Sequence, residues 1–258
     1  MYPRFRWTRC GASWEKKDKH LSDEERAAGG LGSIWDHVAF DPVTKAVISL
    51  VQGPSRDQAT CDRLVEDFAA RTKREPPDLA TTDEHAPYKN SLLKIYGRDY
   101  RPRRRSKRGP MRSLKKGRPG VMVYATVKKT RAKGRVVDVR TEVVLGNDAA
   151  LAAVLELSPC SSTVNTSFVE RNNGTSRHFN SRKQRQTYGF SKQLAEHTAM
   201  SWLMVTHYNF CWAHRMLRIR SQDQRYTQRS PAVAAGIADH IWTIEELLTR
   251  QVVSSRVA

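Results

Sequence analysis

Residues 34–51, IWDHVAFDPVTKAVISLV, carry two β-rich runs broken at Asp41-Pro42-Val43-Thr44, a pattern that predicts a hairpin. Over residues 56–72 the spacing changes. Leu64, Val65, Phe68 and Ala69 recur at helical intervals, which predicts an amphipathic helix laid against a sheet. A short apolar run, PDLATT, delivers Asp83 to its C-terminal end, and APYKNSLLKIYG predicts another helix. Strand, strand, helix, strand, helix is an α/β layer pattern. Further on, VMVYATVKKT and RVVDVRTEVVL flank RAKG as a second hairpin with Gly134 in its turn. DAALAAVLEL predicts a short helix, and the next helix starts near Asn165 or Thr166, both good N-caps. FSKQLAEHTAMSWLMVTHYNFCWAHRML reads as a long, mostly buried helix whose Trp202, Tyr208, Phe210 and Trp212 belong to the core. The tail, SPAVAAGIADHIW with TIEELL, predicts one or two short helices.

One stretch breaks these patterns. From Arg98 to Arg118 the chain is rich in Arg, Lys, Pro and Gly and poor in apolar residues, so it reads as a linker or flexible basic arm. The imbalance extends to the whole chain of 258 residues, where 45 Lys and Arg face 26 Asp and Glu, a formal net charge of +19. With 39% hydrophobic residues the chain can bury a core, so the charge points to a polyanionic partner, most often nucleic acid. A merely solvated basic surface is the competing reading. Cys10, Cys61, Cys160 and Cys211 form no C-x-x-C pair, which argues against a zinc knuckle and for reduced, buried thiols. The longest apolar runs, such as AMSWLMV, fall far short of the roughly 20 residues a membrane span needs. With no apolar h-region near the start, a cytoplasmic location and chance sequons at Asn165 and Asn173 are expected.

Against this background two lone acids stand out. Asp83 sits where a short strand ends, and Glu170 heads a helix otherwise loaded with Arg, Asn, Lys and His. Carboxylates in a basic setting suit Mg²⁺ or Mn²⁺ acting on a phosphate backbone, since these ions take hard oxygen ligands. Paired ions catalyse in-line phosphoryl displacement, and the minimal protein contribution is three acids around a sheet. Asp83 and Glu170 fit the second and third places if the arm and second hairpin, residues 98–147, are an insertion. Asn173, Gly174 and Arg177 share a helix face with Glu170. Arg171, Arg177 and Lys183, with Arg103, Arg104, Arg105 and Lys107 of the arm, are candidate phosphate contacts. The plainer alternatives are a helix N-cap for Asp83 and a favourable helix N-terminal charge for Glu170.

WDHVAFDPVTK, the Arg56-Asp57 helix start, LATTDEHAPY, NTSFVERNNGTSRHFNSRKQR, YGFSK, HYNFCW and SPAVAAGIADHIW follow one another across roughly residues 16–242. In that order they resemble the DDE transposases of bacterial insertion sequences, close to the insertion-sequence-one type. The resemblance implies a ribonuclease H-like core, a mixed sheet flanked by helices, running over residues 16–97 and 148–258. It also implies Asp83 and Glu170 as the second and third metal-binding acids, and transposon-end and target DNA as partners of a possible homo-oligomer. In the family an end-recognition element precedes the core, and none is evident here.

The family's first acid lies in a strand reading roughly V-D-E-x-W-S-F-V. This chain has RWTRCGASW there, with Thr8 in the acid's place. Trp has one codon, ending in G, and every Thr codon starts AC, so a shifted frame across Trp7 and Thr8 reads Asp. With permitted codons for residues 6–14 that frame gives Val-Asp-Glu-Met-Trp-Ser-Phe-Val. Residues 1–15 are therefore expected to be an out-of-frame or non-native leader, and strand transfer by this polypeptide is expected to be impaired. Asp36 and Asp41 are the fallback candidates for the missing acid. A non-catalytic nucleic-acid-binding protein and a nuclease that hydrolyses without joining are the rivals.

Overall fold

The computed structural model describes residues 5–14, 22–24, 32–102, 113–117, 120, 122–184, 188–189, 191, 193–220 and 223–250. β1 (Phe5–Trp14) pairs antiparallel with β2 (Gly32–Phe40), which pairs antiparallel with β3 (Val47–Gly53). Asp41 makes the β2–β3 turn, its carboxylate accepting from the Val43 and Thr44 amides at 2.9 and 3.1 Å and from the Thr44 hydroxyl. α1 (Gln58–Arg71) follows, capped by Asp57, whose carboxylate accepts from the Thr60 amide at 2.8 Å. β4 (Leu79–Asp83) lies parallel to β1, and α2 (Pro87–Tyr96) returns along the sheet.

The basic arm is not uniform. Its ends, β5 (Arg98–Tyr100) and β6 (Lys115–Gly117), pair into a small antiparallel ladder, while Arg103, Arg104, Arg105 and Lys107 lie outside the described residues. β7 (Val123–Ala132) and β8 (Arg135–Leu145) form the second hairpin around Lys133 and Gly134, with φ of 47° and 78°. This hairpin was expected as part of an insertion, and the sheet corrects that. β7 pairs parallel with β4 along all of Leu79–Asp83, because Val123 to Val127 are buried on both faces and complete the sheet. Among the described residues the main sheet has six strands in the order β3-β2-β1-β4-β7-β8, so β1 is interior.

The remaining elements are α3 (Asp148–Glu156), α4 (Ser167–Phe179), a 3-10 turn at Ser181–Lys183, and α5 (Leu194–Phe210). A second 3-10 turn spans Arg215–Leu217, and the short pair β9 (Ile219–Arg220) and β10 (Tyr226–Thr227) precedes α6 (Pro231–Ala234) and α7 (Ile244–Thr249). α5 is shorter than expected. The chain turns away at Cys211, leaving Trp212 40% exposed, while Tyr208 stays in the core. Asn209 fastens the end of α5 to β3, its side-chain amide exchanging both bonds with the Val47 backbone at 3.0 and 2.8 Å.

Strand alternation sorts the core into two faces. Ala39, Ala80 and Tyr124 face α1 and α2, with Leu64, Phe68 and Leu92. On the other face Val38, Phe40 and Val47 pack on Val169 of α4 and Val205 and Tyr208 of α5. Leu79, Val123, Ala125 and Val127 pack against α3. The structure is therefore a mixed sheet with helices on both faces.

Candidate functional site

In β4 the odd positions face α3 and α4: Leu79 belongs to that cluster and Asp83 has the same parity. Asp83 is the last strand residue, opposite Val127 of β7. Its carbonyl accepts from the His85 amide and the Thr82 hydroxyl, both at 2.6 Å, and this turn ends the strand. The N-cap alternative for Asp83 does not hold. The cap of α2 is Ala86, three residues on, and no side-chain bond closes it. Behind Asp83, Thr82 bonds the Tyr124 hydroxyl at 2.8 Å. Burial pushes that phenol up to about 12, the Thr82 bond pulls it down, and the Asp83 charge adds to the rise.

Glu170 lies in the first turn of α4, whose N-cap is the expected Thr166. Its Oε1 accepts from the Thr166 hydroxyl at 2.8 Å and from Lys129 Nζ at 2.5 Å. Lys129 ties Glu170 of α4 to β7, the strand beside β4. It stands two residues beyond Val127 on the face that Asp83 occupies, so its Cα is about 8 Å from that of Asp83 by strand geometry. Nearby, Lys128 pairs with Glu84 at 2.9 Å. Neither lysine drew notice in the sequence, although VKKT at the end of an apolar strand puts them on opposite faces.

Position 8 falls at the same level. Arg6 pairs with Thr81, and two residues further along these parallel strands Thr8 is level with Asp83. The stretch expected as a leader thus includes the strand lying directly beside β4.

The other expected residues separate. Arg171 is exposed on α4, one residue from Glu170. Arg177, two turns beyond Glu170 on the same flank, has a buried Nε with no hydrogen-bond acceptor among the described residues. Asn173 is buried, and no described atom comes within 4 Å of a Cβ built on Gly174. Lys183 requires a correction. It is 2% exposed, and its Nζ lies 2.7 Å from Asp36 Oδ2, so the ammonium is enclosed and cannot reach a phosphate backbone. His197 Nε2 is 3.5 Å from the same carboxylate, and the Gln52 amide donates to it at 2.7 Å. Burial raises the Asp36 carboxyl, but the Lys183 charge and the His197 contacts outweigh it and hold the group at about 2. Asp36 is therefore committed to an internal ion pair, and Asp41 to its turn. Both carboxylates, the fallback candidates for a third acid, are thus engaged within the fold.

A complete metal pair does not fit the residues present. Among the described residues no group of three or more His, Cys, Asp or Glu is gathered to hold a metal ion. Asp83 and Glu170 supply two carboxylates, and the Lys129 ammonium provides the positive charge beside Glu170. No protein-family model matches the chain, and neither does any curated protein.

Proposed function

We propose that the chain is the core of a DDE-type transposase with a ribonuclease H-like fold, impaired in strand transfer because position 8 carries Thr. Its substrates are transposon-end and target DNA. One observation supports the reading: Glu170 pairs with Lys129 of β7, two residues past the Val127 that lies opposite Asp83, and Thr8 of the neighbouring strand is level with Asp83. Strand order supports it, with an antiparallel β1–β2–β3 meander followed by β4 parallel to β1. So do the net charge of +19 and the exposed Arg171 next to Glu170 in sequence. Mg²⁺ or Mn²⁺ is the ion class that carboxylates in this setting would take, and a third acid is required to complete the donor set. No catalytic step is assigned to the chain while position 8 is Thr.

The test is Thr8→Asp, together with a chain whose residues 7–14 are replaced by Val-Asp-Glu-Met-Trp-Ser-Phe-Val. Both are assayed with Mg²⁺ on a labelled transposon-end oligonucleotide and a target duplex. Joined product from a restored chain and none from the parent supports the proposal. Full activity of the parent, or inactivity of both restored chains, overturns it. Cleaved but unjoined DNA would favour a nuclease. A second reading, a nucleic-acid-binding protein without catalysis, is favoured by the Lys129–Glu170 pair and predicts binding that persists in Asp83→Ala and Glu170→Ala.

A further inference from the structure

The flank of α4 opposite Glu170 lines a half-enclosed cavity of about 290 Å³ between the β2–β3 turn and the C-terminal end of α5. Its floor is apolar and aromatic, built from Phe40, Phe168 and Tyr208, and the exposed Met216 borders it. Its walls are cationic. Lys45, 9% exposed, lies with Nζ 4.0 Å from the Phe168 ring centroid and donates to the Pro42 carbonyl, so its charge is fixed in place. Arg171 closes another side. His214 accepts from the Met216 amide through Nδ1 at 3.3 Å, and burial, with the Lys45 and Arg171 charges, lowers its pKa. The imidazole is therefore neutral at pH 7, with its proton on Nε2 as a donor. A shallower recess of about 680 Å³ continues from Arg171 and His214 to Trp212 and Arg218, and Arg218 covers the Tyr226 ring at 4.1 Å.

We infer that this cavity takes one nucleotide of a nucleic-acid strand, with its base on the apolar floor and its phosphate at the mouth between Arg171 and Arg218. A flat basic surface is enough for a phosphate backbone. An enclosed aromatic floor under a cationic mouth instead suits a planar group lifted out of the stack and anchored through its phosphate. The volume sits at the lower end of small-molecule sites, which limits the occupant to about one nucleotide. An acidic peptide would satisfy the cations but has no planar group for the floor. The inference deepens the reading above by naming what α4 does on its second flank, and it needs no catalysis.

The probe is a single-stranded DNA oligonucleotide carrying one 5-iododeoxyuridine, photo-crosslinked to the full chain and mapped by mass spectrometry. Crosslinks are expected within the peptides that hold Phe168, Tyr208 or Trp212. Arg171→Ala and Arg218→Ala, both at exposed positions, are each expected to weaken strand binding roughly 10-fold. Met216→Trp, at a position 69% exposed, should fill the cavity while both arginines are retained and reduce crosslinking at least as much. Competition by unlabelled strand, but far less by an abasic strand, inorganic phosphate or polyglutamate, supports a base in the cavity. Equal competition by any of these three, or crosslinks unaffected by Met216→Trp, overturns the inference. Strand joining by the Thr8→Asp chain is scored separately, so failure of one result does not carry the other with it.

Discussion

Asp36 and Lys183 are far apart in the sequence and meet 2.7 Å apart inside the protein, each side chain about 1% exposed. Breaking a buried pair leaves one charge without compensation, so Lys183→Met is expected to cost about 3–5 kcal/mol in urea unfolding. Lys183→Met combined with Asp36→Leu should recover much of that loss, because the desolvated charge goes with its partner. The sign of the acid dependence follows from the Asp36 carboxyl, which is depressed to about 2 when folded. Its contribution, about 2 kcal/mol, is present above the unfolded value near 3.9 and is lost as pH falls from about 4 through 2. Unfolding titrations of the parent and the double variant between these values check it. Sequence order revealed little of this. Lys183 sits in a basic stretch beside Arg182 and Arg185, and no local pattern separates a lysine that is enclosed from one that is solvated. Asp83 was legible because a strand ended at it; Lys129 was not, because its partner lies on a helix far along the chain.

At the level of single helices and strands, local rules placed the pieces well. The Asp57 cap illustrates this: Ser55 donates to its carboxylate at 2.6 Å, the Thr60 amide adds a second bond, and the carboxyl is held near 2. Asp57→Ala is expected to lose about 1 kcal/mol, measured by thermal or denaturant unfolding. The β7–β8 turn was equally readable, since Gly134 at φ 78° needs the left-handed region. Gly134→Val should destabilise the hairpin by about 1–2 kcal/mol, seen as faster amide exchange along β7 and β8 with little change in α1. What local rules missed is the hairpin's place. Periodicity identifies a strand but not its neighbour, and β7 joins the sheet through parallel pairing with β4, separated from it in sequence by α2 and the basic arm. The end of α5 escaped for a related reason: the apolar run continues through Trp212, and the Asn209 clamp on Val47 that fixes the helix end is a tertiary bond.

For the whole molecule the net charge of +19 dominates, and it was visible from composition alone. Binding to DNA is expected to weaken by orders of magnitude between 50 and 200 mM salt, with a linear log–log slope of about −0.9 per phosphate contact. Asp83→Ala and Glu170→Ala should leave that slope unchanged, a comparison that fluorescence anisotropy makes directly. The α/β layering was legible from the order of elements, whereas the parallel pairing of β4 with β7 and the Lys129–Glu170 pair depend on contacts far apart in sequence. The central claim is that residues 8, 83 and 170 form one cation site when all three are acids. Electron paramagnetic resonance of Mn²⁺ titrated into the Thr8→Asp chain measures it. Tight binding is expected there and weak binding in the parent, with loss on adding Asp83→Ala or Glu170→Ala. Mn²⁺ bound equally by all four chains, or by none, would contradict the claim.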